Sequence, residues 1–157
     1  MTSDIDEYYL YYIKELSHIV EIYKKFPKKE DCIRFIEKVR WSNKPVCPHC
    51  GSHRISPMKK EFRYHCNSCN VSFSVTVNTL FHNTRIPLQK WLAAIEIFLQ
   101  NEKIISVRKL AEALDVNKDT AWAMISRIKK AGLEYGELFA RLIESGELYI
   151  KGRVKVK

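Results

Sequence analysis

The sequence predicts a mainly α-helical protein interrupted by one small, cysteine-rich β module. Three observations predict it. Helical apolar periodicity runs through residues 4–40 and returns over 88–131. Between them, Trp41 to about Leu80 is short in helix formers and holds two Cys-x-x-Cys pairs with Pro45, Pro48 and Gly51. Forty such residues cannot bury a self-sufficient core without a staple.

The first element is expected over residues 4–26. Ile5, Tyr9, Tyr12, Leu16, Ile19, Tyr23 and Phe26 follow in steps of 4, 3, 4, 3, 4 and 3, a heptad pattern. Asp4 suits the N-cap and Pro27 stops the run. The seam serves either a homodimer through residues 5–26 or a helix packed on its own protein, and three repeats do not decide. Lys28 to Arg40 reads as a second helix with Cys32, Phe35, Ile36 and Val39 on one face. Phe62–Tyr64 and Val71–Val77 read as short strands. A helix follows from Leu88 to about Gln100, with Trp91, Ile95, Phe98 and Leu99 inward. Two more helices come next, capped by Ser106 and by Asn117 or Asp119, with Gly132 as the stop. The tail opens as a weak helix and ends in a strand-like alternation, Leu148 to Lys157.

Composition bounds the function. With 46% hydrophobic and 29% charged residues in 157, the chain reads as globular and soluble. No apolar run approaches the roughly 20 residues that span a bilayer, and the acidic, polar start, Met1 to Asp6, does not read as a signal peptide. The net charge is +9. Residues 1–31 carry −2, residues 32–87 carry +7, residues 88–133 carry +3 and the rest +1. A basic balance that peaks on the cysteine-rich stretch points to a polyanion, nucleic acid before membrane. Five cysteines, an odd number, argue for a reducing, intracellular compartment rather than a disulfide framework.

Cys47-Pro-His-Cys50 and Cys66-Asn-Ser-Cys69 are separated by fifteen residues, within the range of a zinc ribbon. Two residues between cysteines let one tight turn aim both thiolates at a single ion. Two such turns complete a four-sulfur shell. A closed shell leaves no open position, so one structural Zn²⁺ is expected. An iron site can use the same ligands, and a redox Cys-x-x-Cys explains one pair but not two. Cys32 has no close cysteine partner and reads as a buried small hydrophobe. His49, His53 and His65 flank the ligands. Arg54, Lys59, Lys60 and Arg63 lie between the pairs, where a hairpin tip or edge would suit a phosphate backbone.

Val107 to Lys130 reads as a helix-turn-helix. Leu110, Ala111, Leu114, Val116, Ala121, Ile125 and Ile128 are its expected core. Lys118, Asp119, Thr120, Ala123, Ser126, Arg127 and Lys130 are its expected outward face, and Trp122 and Met124 are expected to pack. Arg108, Lys118, Thr120, Ser126, Arg127 and Lys130 are the candidate contacts to double-stranded DNA, with Arg127 suited to a guanine edge. An ordinary helical hairpin has the same pattern.

Phe26-Pro27, Asp31-Cys32, Arg40-Trp41, Cys47-Pro-His-Cys-Gly51, Tyr64-His-Cys66, Cys69, Phe73-Ser-Val75, Thr79-Leu-Phe-His82, Thr84, Pro87-Leu88 and Lys90-Trp91 together resemble the N-terminal half of bacterial and archaeal insertion-sequence transposases. The resemblance covers about residues 26–131. It implies a zinc ribbon and a helix-turn-helix that recognise inverted-repeat ends, ahead of an RNase H-like catalytic domain of the DDE type. It also implies the cytoplasm or nucleoid of a prokaryote. A strand with the first catalytic Asp would follow the helix-turn-helix, whereas Leu148 to Lys157 carries no carboxylate. The expectation is therefore a mainly α protein with a small β zinc ribbon that recognises DNA without catalysis of its own. Alternatives are the recognition subunit of a split transposase with a separate catalytic subunit, and a protein-binding ribbon of a transcription complex. The expected divisions are 1–40 helical, 41–84 ribbon, 85–133 helix-turn-helix and 134–157 tail.

Overall fold

The computed structural model describes residues 16, 17, 19–100 and 106–134. The first part of the expected N-terminal helix, to residue 15, and the tail from residue 135 with its expected strand lie outside the described residues.

Residues 19–25 are helical. Ile22 and Phe26 are buried, and Ile19 packs beside them on the helical core. Tyr23, which the heptad turns inward, is 38% exposed. The buried face is therefore 19, 22 and 26, and this end of the segment packs on its own protein. Residues 22 and 23 lie about 100° apart on a helix, so spacing alone does not say which of them the core takes.

Helix α1 spans Lys29–Trp41. The Lys28 N–H donates to the Asp31 carboxylate at 3.0 Å, which satisfies one orphan donor at its start. Ser42 and Asn43 both take left-handed backbone angles and end it. Cys32, Ile33, Phe35 and Ile36 are buried on one side. Cys32 is thus the small core residue expected, and burial, reinforced by the Asp31 charge, pushes its thiol up to about 12.

The sheet has three antiparallel strands in sequence order: β1, Ile55–Met58; β2, Arg63–Cys66; and β3, Ser72–Phe73. Ile55 faces Cys66, Met58 faces Arg63, and Tyr64 faces Phe73. The expected strands shift accordingly. Phe62 is a left-handed turn residue and not the start of a strand. Of Val71–Val77 only Ser72–Phe73 pairs. Strand β1 was not expected, because Ser56 and Pro57 dilute its signal; proline is tolerated there because β1 is an edge.

Three helices follow: α2, Leu88–Gln100; α3, Val107–Leu114; and α4, Lys118–Glu134. Helix α2 is the central one, buried on every side from Trp91 to Ile97, so its apolar face is wider than the stripe expected. It packs against α1, α3 and α4. The side chain of Leu99 lies outside the described ones. The Ser106 hydroxyl caps α3 by accepting from the Lys109 N–H at 3.1 Å. Asp115 then turns left-handed, and the Val116 N–H reaches back to the Ala111 carbonyl at 3.0 Å, which ends the helix in a Schellman-type turn. Asn117, rather than Asp119, caps α4: its Oδ1 accepts from the Thr120 N–H at 2.7 Å. Leu110, Ala111, Leu114, Ala121, Ile125 and Ile128 are buried and Val116 packs against them, as a helix-turn-helix core requires. Gly132 does not stop α4, which continues to Glu134.

The ribbon keeps a small core of its own, Cys47, Cys66 and Phe73. Trp41, at the end of α1, meets Tyr64 and Phe73 edge-on, with centroids 5.5 and 5.9 Å away. Arg40 donates to the Val75 carbonyl at 2.7 Å. Residues 74–87 then join ribbon to helices through short polar ties. Thr79 Oγ1 donates to the Thr76 carbonyl and accepts from the Phe81 N–H. Thr84 Oγ1 accepts from Trp91 Nε1 at 2.7 Å and from the Ile86 N–H.

Candidate metal centre and nucleic-acid interface

The two cysteine pairs fold into the same local structure. The Cys47 N–H donates to the Ser52 carbonyl, and the Gly51 N–H returns to the Cys47 carbonyl. The Cys66 N–H donates to the Val71 carbonyl, and the Asn70 N–H returns to the Cys66 carbonyl. All four bonds are 2.9–3.0 Å. The residue after each second cysteine is left-handed, Gly51 at φ 75° and Asn70 at φ 60°. Glycine and asparagine are the residue types that enter this region at least cost. Each turn buries its first cysteine, Cys47 and Cys66, and leaves its second, Cys50 and Cys69, nearer the surface.

Facing each other, the turns gather four sulfurs within 4.8 Å of one another. Cys47 Sγ lies 3.7 Å from Cys69 Sγ, and Cys50 Sγ lies 3.5 Å from Cys66 Sγ. A tetrahedron with metal–sulfur bonds of about 2.3 Å has edges of about 3.8 Å, so the set fits zinc. The His49 N–H points at Cys47 Sγ from 3.4 Å, a donor that suits a thiolate. The electrostatics agree. Backbone N–H groups of Cys69 and Ser68 hold the Cys66 thiol down at about 6. Although the Ser52 N–H favours its thiolate, loss of water and hydrogen bonds to the other cysteines push Cys50 up to about 12. One anion among crowded thiols suppresses the next. A divalent cation removes that conflict, and the closed four-sulfur shell makes its role structural. Cys47, Cys50, Cys66 and Cys69 thus form a zinc site.

The expected DNA contacts are dispersed. Lys59 and Lys60 occupy the turn between β1 and β2, at the hairpin tip, and are exposed. Arg63 is exposed at the start of β2 and donates to the Ser72 carbonyl at 3.3 Å. Arg54 is exposed at the zinc end, where its carbonyl accepts from the Asn67 N–H. The four cations thus run along the hairpin from its tip to its zinc end. Arg108 is exposed beside Glu112, 3.6 Å away. Lys118 and Lys130 are exposed on α4, and Thr120 is half-buried at its first turn.

Two further candidates are engaged within the protein. Ser126 Oγ donates to the Trp122 carbonyl at 2.9 Å. Arg127 Nη1 donates to the carbonyls of His82 and Leu80 at 3.0 and 3.4 Å, and its guanidinium lies 5.9 Å from the Trp91 ring centre. Met124 is buried as expected, but Trp122 is 63% exposed instead of packed. Lys129, seven residues on from Trp122, is exposed as well. Helical periodicity places 118, 122 and 129 on one stripe, but it does not say that the stripe is left exposed. His49 and His53 are exposed, whereas His65 is half-buried with Nδ1 3.4 Å from Ser72 Oγ.

Fold and site together define a class: a four-cysteine zinc ribbon fastened to a helix-turn-helix. Known proteins narrow it. Residues 27–72 match the transposase zinc-ribbon domain, IS1595 type, a match that takes in α1 as well as the ribbon. The chain is also similar to an uncharacterised protein in transposable element ISH50 of Halobacterium salinarum, with 25% identity over 140 residues. The alignment covers 84% of this chain and 45% of that protein, so the chain spans less than half the length of that relative. No solved structure matches. Residues 27–72 thus match a transposase-type zinc ribbon, and helices α2 to α4 follow it. Among the described residues, no helix is long and apolar enough to cross a membrane.

Proposed function

We propose that this chain recognises double-stranded DNA, with the ends of an insertion sequence as its natural target. The observation that carries the reading is the zinc ribbon locked to a helix-turn-helix, with exposed cations on both. Lys59, Lys60, Arg63 and Arg54 on the hairpin meet the phosphate backbone and set register. Helix α4 enters the major groove with its N-terminal half, and Lys118 and Lys130 contribute from its outward face. Arg127 holds the helix in place rather than reading bases, and the Ser126 hydroxyl is turned back onto its own helix. The functional units are the ribbon, 41–84, and the helix-turn-helix, 85–133. We assign the chain no bond-breaking step. Two-metal phosphoryl transfer needs convergent carboxylates, and the only metal-ligand cluster among the described residues is the four cysteines. Strand cleavage then belongs to another segment or a separate subunit.

Selection of duplexes from a random pool by the zinc-loaded protein, followed by a salt titration, tests this reading. A recovered consensus whose affinity falls steeply with salt supports it. Failure to shift any duplex at low salt, with zinc bound, overturns it and points to a protein-binding ribbon.

A further inference from the structure

The three tryptophans are not alike. Trp91 is buried and hydrogen-bonded through Nε1 to Thr84. Trp41 is half-buried in the aromatic cluster of the ribbon. Trp122 stands on α4 with 63% of its surface in solvent, and among the described residues its indole has no ring or hydrogen-bond partner. Its backbone carbonyl accepts from the Ser126 hydroxyl. A tryptophan is the largest apolar surface a helix can present, and its amphipathic ring is enriched where proteins meet partners.

The surroundings say what kind of partner that is. At about 100° per residue, Lys118, Trp122 and Lys129 fall within about 40° of one another around α4. Arg127 lies about 140° from Trp122, on the shoulder turned to the connector. Trp122 therefore sits between two exposed lysines, one turn from the N-terminus of the helix. The acid nearby, Asp119, is in the first turn, where it suits the helix N-terminus. A second copy docked through the same stripe would set its own Lys118 and Lys129 against these two lysines. A polyanion with apolar groups between its charges fits the stripe, and duplex DNA offers this in the major groove, where thymine 5-methyls lie between phosphate rows.

We propose that Trp122 is a specificity-determining residue of α4, packing its indole on a thymine 5-methyl while Lys118 and Lys129 hold the flanking phosphates. This rests on the DNA-binding reading above, and it adds the base class read and the residue that reads it. The probe is a duplex selected by the zinc-loaded protein, and the same duplex with deoxyuridine replacing thymidine one position at a time, which removes only the methyl. Wild type should lose about tenfold in affinity at one position at least. Trp122→Ala should bind the parent duplex about tenfold more weakly and be indifferent to that replacement, while its thermal unfolding stays that of wild type. DNA should also shield from acrylamide the fluorescence that Trp122→Phe lacks. Binding in which Trp122 stays fully quenchable and Trp122→Ala keeps wild-type affinity overturns the assignment and leaves DNA recognition standing. Absence of any duplex binding by wild type overturns both. Shielding of Trp122 by an added protein, and not by DNA, overturns it in favour of a protein-docking helix.

Discussion

Arg127 of α4 donates from Nη1 to the backbone carbonyl of His82 at 3.0 Å, across 45 residues of chain. His82 in turn accepts the Asn78 N–H on Nδ1 at 3.1 Å, and Asn78 Nδ2 reaches the Pro48 carbonyl, inside the first cysteine turn, at 3.5 Å. Polar contacts thus run from the zinc turn to the helix proposed to enter DNA. Arg127→Ala should lower stability by about 1–2 kcal/mol, since two carbonyls lose a charged donor. Arg127→Lys should recover only part, because an ammonium cannot reproduce the planar guanidinium lying toward Trp91. Urea unfolding of the zinc-loaded variants checks this. If Arg127→Ala keeps full stability and loses DNA affinity only at particular bases, Arg127 reads bases after all.

Removal of one ligand should cost the whole module. Cys66→Ser should lose stoichiometric zinc and the ribbon's structure, as should chelation of wild type, because metal-binding free energy is folding free energy in modules this small. Metal analysis with circular dichroism measures both. Zinc uptake near pH 7.5 should release fewer than four protons, because Cys66, held at about 6, already carries its charge. The sign follows from the lowered value. The stabilisation from the Cys66 anion is complete above the unfolded thiol value of about 8.5 and is lost as pH falls through about 6.

The equivalence of the two cysteine turns can be tested at the backbone. A Cβ at Gly51 would meet nothing within 4 Å, so only the left-handed angle opposes a side chain there. Gly51→Asn should be nearly neutral, and Gly51→Ala should cost about 1 kcal/mol. At the matching position Asn70→Gly should be neutral and Asn70→Ala should cost the same. Thermal unfolding with zinc bound gives the four values, and equal losses for Gly51→Ala and Asn70→Ala are the diagnostic result.

Trp41 joins α1 to the ribbon. Trp41→Ala should destabilise the protein by roughly 2–3 kcal/mol, less than a fully buried tryptophan because the ring is only half-covered. Denaturant unfolding monitored on the zinc site should then show the ribbon melting ahead of the helices.

The hairpin cations should act through charge alone. Lys59→Ala with Lys60→Ala should weaken binding by a similar factor on every duplex, and the slope of log affinity against log salt should fall by about two. A change in the selected consensus would instead make the hairpin tip a base reader.

Much of this protein is determined by local sequence. Two residues between cysteines, with Gly51 and Asn70 after them, dictate the zinc turns, because ligand spacing and left-handed angles are local properties. The same holds for the helix-turn-helix, where Ser106 and Asn117 cap and Ala111 and Ala121 allow close crossing. What the tertiary structure alone decided is which outward side chains are free to act. Arg127 is expected to face outward and Trp122 to pack, yet the connector at Leu80 and His82 takes up the first, and among the described residues the second stands 63% exposed. Strand β1 likewise forms only because β2 supplies its hydrogen bonds. Periodicity reports a residue's direction around its own helix, and it carries no information about what another part of the chain brings to that side.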